Sequence, residues 1–124
     1  MPSQVRGQSR SAPAERVSPD GKWIAFESDR GGVHGVWVAH ADGTGARRVS
    51  GDLLATMPAW SPDGTRLAFA VEGDGVWMVW LAGGRSSRVI AEPDVDAFAW
   101  APGGRQIAFR SARDGQWKTE MVKP

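Results

Sequence analysis

The sequence contains no cysteine and no tyrosine, only two histidines, and no apolar run longer than a few residues. Without cysteine there are no disulfides, thiol nucleophiles or cysteine metal sites, although the compartment stays open because many exported proteins also lack cysteine. A membrane-spanning helix needs roughly 18 consecutive apolar residues, and no stretch approaches that length. Residues 1–16 are rich in Ser, Arg, Gln and Pro and lack the apolar core of a secretory signal. The expectation is a soluble cytoplasmic protein, or a periplasmic one if a signal has been removed. Net charge is equally scarce: 15 Lys and Arg against 14 Asp and Glu leave +1, too little to draw the chain to nucleic acid or an anionic membrane.

What the chain has instead is 16 Gly, 8 Pro and 7 Trp in 124 residues, the composition of one compact domain built from short strands, many turns and large packing residues. These residues recur. Ser18-Pro19-Asp20-Gly21-Lys22-Trp23-Ile24-Ala25-Phe26 returns as Ser61-Pro62-Asp63-Gly64-Thr65-Arg66-Leu67-Ala68-Phe69 and again as Ala101-Pro102-Gly103-Gly104-Arg105-Gln106-Ile107-Ala108-Phe109, at offsets of 43 and 40 residues. Trp37, Trp77 and Trp117 follow the three phenylalanines by 11, 8 and 8 residues, the first copy carrying an insertion around Gly31-Gly32. Arg48-Val49 and Arg88-Val89 then keep one distance from their tryptophans, and Trp60 and Trp100 one distance from those valines.

A period of 40 to 45 residues without helical periodicity fits a four-stranded propeller blade. The runs Ile24-Ala25-Phe26, Leu67-Ala68-Phe69 and Ile107-Ala108-Phe109 read as strands bounded by turn residues. In Pro-Asp-Gly, proline presets φ, aspartate caps neighbouring amides and glycine accepts a positive φ. Pro19, Asp20, Gly21, Pro62, Asp63, Gly64, Pro102 and Gly104 are therefore assigned to turns, the third turn with one capping bond fewer because Gly103 replaces the aspartate. Trp37, Trp60, Trp77, Trp100 and Trp117 repeat in register and are assigned to packing between sheets. Trp23 and Trp80 lack counterparts and are expected at a blade or dimer boundary.

Trp60-Ser61-Pro62-Asp63-Gly64 resembles the TolB-like, WD-type propeller repeat, with its W-S-P-D-G turn and I/L-A-F strand. Copy one has Val17 in place of the tryptophan, and copy three has Ala101 and Gly103. The resemblance covers residues 17 to 121 and implies a six-bladed propeller. The expected fold is all-β, three four-stranded blades per chain. Residues 17–56 make the first blade, 57–96 the second, and 97–124 a third lacking its outer strand. Copy two places its strands at 57–60, 66–71, 76–81 and 87–90, and Gln4-Val5-Arg6-Gly7 resembles the outer strand that copy three lacks. Three blades make half a ring, because propellers close with about four to eight. A two-fold homodimer would complete it and cover the apolar end faces and the open edge of copy three.

Chemistry-bearing motifs are missing. There is no G-x-S-x-G, H-E-x-x-H or phosphate-binding G-x-x-x-x-G-K, and His34 and His40 stand in no catalytic spacing. No catalytic residue and no cofactor is assigned. Glu92, Asp94 and Asp96 alternate as oxygen ligands for Ca²⁺ or Mg²⁺ would, but without the glycine and distal glutamate of a calcium loop, so no metal ligand is assigned. The loops that propellers vary for recognition hold Asp29, Arg30, His34, Asp52, Glu72, Asp74, Glu92, Asp94, Asp96, Arg113 and Asp114, acidic on balance. The reading is a non-catalytic scaffold that self-associates into a ring and binds a protein or peptide on this face. Two alternatives stand beside it: a half-propeller with no ligand of its own, and a metal-assisted hydrolase at the channel mouth.

Overall fold

A computed structural model describes residues 15–122. Strands β1 (Arg16–Val17), β2 (Trp23–Ser28), β3 (Gly35–His40) and β4 (Arg47–Arg48) form one antiparallel sheet in chain order. Strands β5 (Ala55–Trp60), β6 (Arg66–Val71), β7 (Gly75–Trp80) and β8 (Ser86–Ile90) repeat that pattern, and β9 (Val95–Trp100), β10 (Gln106–Ser111) and β11 (Trp117–Met121) form a three-stranded sheet with β11 at its edge. No helix is present among the described residues. Gln4-Val5-Arg6-Gly7 lies outside them.

The sheets stack face to face, and the middle one shows why. All six residues of β6 are buried, because alternate side chains of one strand point into two separate cores. Leu67, Phe69 and Val71 pack with Val79 onto Ala25, Val36 and Val38 of the first sheet. Ala68 joins Val76, Met78 and Ile90 against Ile107 and Phe109 of the third. The sheet has two apolar faces and a neighbour on each.

The turn joins the first and second strands of each blade. Ser61 Oγ accepts a hydrogen bond from Arg66 N at 3.0 Å and donates one to Asp63 Oδ1 at 2.8 Å. Asp63 Oδ1 also accepts from Thr65 N and Thr65 Oγ1 at 3.0 and 2.7 Å, and Gly64 closes the turn at a φ of +76°. Ser18 and Asp20 repeat the network with Trp23 N and Lys22 N. Copy three keeps the backbone bonds Gly104 N to Ala101 O and Ala101 N to Gln106 O. It loses more than the one capping bond expected: with Ala101 and Gly103 in place of serine and aspartate, every side-chain bond of the network is gone.

Trp60 and Trp100 link the blades through their inner strands. Trp60 Nε1 donates to Arg16 O at 2.9 Å and Trp100 Nε1 to Ala59 O at 3.0 Å, each reaching the residue before the equivalent position of the preceding blade. Val17 stands there in copy one.

Trp117 departs from its expected role. Phe26 pairs with Trp37 and Phe69 with Trp77, but Phe109 pairs with Lys118 and Trp117 pairs with Arg110. The hairpin of copy two closes at Val71 and Gly75, whereas that of copy three closes one residue later, Ser111 N bonding Gln116 O. Strand β7 is held on its far side by β8, and Gly75 lies so close to the Ile90 carbonyl that no Cβ fits. Strand β11 has no outer strand among the described residues. A one-residue slip turns every side chain to the opposite face, so Lys118 and Glu120 share the face of Phe109 and Ile107. Trp117 and Met121 point away from the second blade, 55% and 62% exposed.

The turn carboxylates are more acidic than usual. The bonds from Thr65 N, Thr65 Oγ1 and Ser61 Oγ hold Asp63 at about 2. A depressed pKa contributes stability above the unfolded value near 4 that is lost as pH falls through 2. Asp63→Ala should therefore cost about 1 kcal/mol at pH 7, a cost that shrinks as pH falls from about 4 through 2, read as the difference in urea midpoint from wild type.

Candidate functional site

The antiparallel order places loops 29–34, 72–74 and 112–116 and connections 49–54 and 91–94 at one end of the sheets. Backbone bonds tie them together: Ala55 N to His34 O, Glu72 N to Leu54 O and Ala112 N to Asp94 O. Asp29, Arg30 and His34 lie in the first of these loops, Asp52 in the first connection, Glu72 and Asp74 in the second loop, Glu92 and Asp94 in the second connection, and Arg113 and Asp114 in the last loop. Asp96 lies within β9 rather than in a loop.

The acidic series Glu92, Asp94, Asp96 is neutralised within the chain. Arg113 Nη2 lies 2.7 Å from Asp94 and Arg110 Nε 2.9 Å from Asp96, while Lys118 Nζ sits 3.7 Å from both Glu92 and Asp114. The Arg110 bond holds the Asp96 carboxyl below its usual range. Asp74 accepts from Trp77 Nε1 at 2.7 Å and pairs with Arg88 at 2.8 Å, the indole bond being the main cause of its lowered pKa. Among the described residues no group of three His, Cys, Asp or Glu side chains is arranged to hold a metal ion, and Asp29, Asp52 and Glu72 form no ion pair.

Arg30 lies across the blade's outer face, its guanidinium carbon 5.4 Å from the Phe26 ring and 5.2 Å from that of Trp37. The Trp37 indole N–H is buried without an acceptor among the described residues, because His34 occupies the position of Asp74 and turns away.

Two residues in this face make contacts that the repeat did not show. Glu27, in β2, bonds His34 Nε2 through Oε1 at 2.8 Å and accepts the Met57 N–H through Oε2 at 3.0 Å. Met57 has a φ of +57°, the one positive value on a non-glycine residue described, at the bulge between Thr56 and Ala59. Arg48 donates to the carbonyls of Gly51, Val33 (2.6 Å) and Leu53 (3.1 Å), fixing the connection into the second blade. The repeat marks Arg48, whose counterpart is Arg88, without showing these contacts, and it does not mark Glu27, since copies two and three carry Ala70 and Arg110 in its place. His40 stacks on Trp23, ring centres 4.4 Å apart. Trp80, expected at a boundary, is half-buried against the core between blades two and three. Neither histidine bonds a serine or threonine hydroxyl among the described residues.

Wedge-like stacking of four-stranded antiparallel sheets around their first strands is the architecture of a β-propeller. No family model matches the chain. The Tol-Pal system protein TolB of Anaeromyxobacter dehalogenans is 42% identical over 55 residues, 44% of this chain and 13% of that protein. A solved structure assigned as TolB from Agrobacterium tumefaciens superposes with a TM-score of 0.71 over 91% of this chain and 48% of that one, at 22% identity. The acylaminoacyl peptidase of Pyrococcus horikoshii matches with a TM-score of 0.64 over 80% of this chain and 16% of that one, at 15% identity, a likeness of fold alone. The three sheets carry the TolB-like propeller repeat. The chain spans about half of the TolB structure and far less of the curated relative.

Glu27→Ala leaves the Met57 N–H without its acceptor and a left-handed backbone without its tether, so unfolding by urea should show a loss of about 2 kcal/mol. A loss below about 0.5 kcal/mol, the level of an ordinary surface change, would mean the sheet alone holds Met57.

Proposed function

We propose that the chain is a non-catalytic propeller scaffold that associates with a second copy of itself into a six-bladed ring and presents its loop face to a protein or peptide. The observation that carries the self-association is the pair of end faces without a neighbour among the described residues. Each interior face of the second blade is covered by a neighbour, while the first blade turns Ile24, Phe26 and Trp37 outward and the third turns out Ala108, Trp117 and Met121. Contiguous apolar surface of several hundred Å² is rare on a soluble monomer. The outward faces of the first and third blades are the complementary halves of the interface that the chain already builds twice.

The protein-binding half of the proposal draws support from the TolB-like repeat and from the loop chemistry. With Glu92, Asp94 and Asp96 paired internally, Asp29, Asp52 and Glu72 are the carboxylates left to meet a basic segment of a partner. The non-catalytic half draws support from His34 and His40, which are engaged by Glu27 and Trp23.

Light scattering on the purified chain should give twice 13.3 kDa, falling to 13.3 kDa for Trp117→Glu. A wild-type mass of one chain at all concentrations would overturn the ring.

A further inference from the structure

Between the second and third blades, beside their turns, lies a cleft of about 450 Å³. On one wall stands Arg66, a cation that is only 8% exposed. Its guanidinium carbon lies 5.1 Å from the Trp80 ring and 4.9 Å from the Trp100 ring, and one Nη donates to Gly104 O at 3.0 Å. Its Nε–H is buried without an acceptor, and Arg66 forms no ion pair among the described residues. The guanidinium is balanced by two ring faces, one carbonyl and the field of the nearby Asp63 carboxylate, but no anion stands within ion-pair distance among the described residues; leaving a buried charge unpaired costs several kcal/mol and cation–π contacts return about 2.

The repeat shows how this arose. Trp23 and Gln106 hold the equivalent positions in the other copies, so only copy two places a cation here. The facing turn has Gly103 where the other copies have Asp20 and Asp63, and a Cβ at Gly103 would meet nothing within 4 Å. Glycine is not required for space, and its presence leaves the cleft open and without a carboxylate on that side. Arg105 lines the same cleft and likewise has no ion pair among the described residues. Asp63 also lines it, but its Oδ1 is held by Ser61 and Thr65.

We infer that this cleft binds a carboxylate carried on an apolar group, such as the acidic side chain or the C-terminus of a peptide. Two arginines against one aspartate leave the lining with a single positive charge, which matches a monoanion better than a phosphate dianion. Trp80 and Val122 supply the apolar wall. The inference does not rest on ring closure, because every lining residue belongs to one chain.

The test is a titration of the ¹⁵N-labelled chain with N-acetylleucine at constant ionic strength, following the indole N–H signals of Trp80 and Trp100. A saturable shift in the millimolar range is expected, absent with the neutral N-acetylleucinamide and weaker with inorganic phosphate. Gly103→Asp, which reinstates the turn carboxylate, should abolish the response with the circular dichroism unchanged, and Arg105→Gln should raise the midpoint at least about threefold. Arg66→Met should also abolish it; if that variant fails to fold, Gly103→Asp and Arg105→Gln decide. No saturable shift, an equal response to the amide, tighter binding of phosphate, or wild-type binding by Gly103→Asp and Arg105→Gln would overturn the assignment.

Discussion

Face-to-face covering of sheets governs this protein. A strand such as β6, with Arg66–Val71 buried throughout, is stable only with an apolar neighbour on both sides, because alternate side chains leave by opposite faces. Everything else serves that stacking. The indole N–H groups of Trp60 and Trp100 bind the inner strand of one blade to that of the next. Arg66 bridges from the second blade to the third turn through Gly104 O, and Arg48 with Glu27 fixes the strand that leads from the first blade into the second. The interface recurs with different residues, which is why the repeat tolerates so much substitution outside the turn and the I/L-A-F strand.

The third blade shows the same rule where no further neighbour lies among the described residues. Its turn has no serine or aspartate to cap it, its edge strand is exposed along its whole length, and its hairpin closes one residue later than that of the second blade. The slip places Lys118 within reach of Glu92 and Asp114 and turns Trp117 beneath the guanidinium of Arg110, 5.7 Å from the ring. Ion pairs to Asp94 and Glu92 link the last hairpin to the connection that enters the blade, and the Arg110–Asp96 pair lies within the sheet.

The sequence made the fold legible because its signals are local and repeated. Pro-Asp-Gly marked the first two turns and Pro-Gly-Gly the third, the I/L-A-F runs marked the second strand of each blade, and the bounds of β6 agree with the expected 66–71. The spacing of Arg48 and Arg88 from Trp37 and Trp77 proved to be a strand register, Arg48 opposite Trp37 and Arg88 opposite Trp77. Trp117 was misread because an eight-residue spacing from phenylalanine holds in copies two and three alike, while the pairing depends on one residue of loop and on whether an outer strand pins the hairpin. The pairing of Glu92, Asp94 and Asp96 was hidden for another reason: their cations lie on a later hairpin, 14 to 26 residues away. Glu27 and Arg66 break the repeat, and a residue that breaks a repeat is visible as different without showing what it touches.

The account stands or falls on whether the outward face and edge of the third blade are covered in solution. Hydrogen exchange of the β11 amides, measured against those of β6 over a wide range of protein concentration, addresses this directly. The account predicts that β6 is protected throughout and that protection of β11 rises with concentration as a second copy covers it. Protection of β11 that is independent of concentration, whether complete or absent, would contradict it.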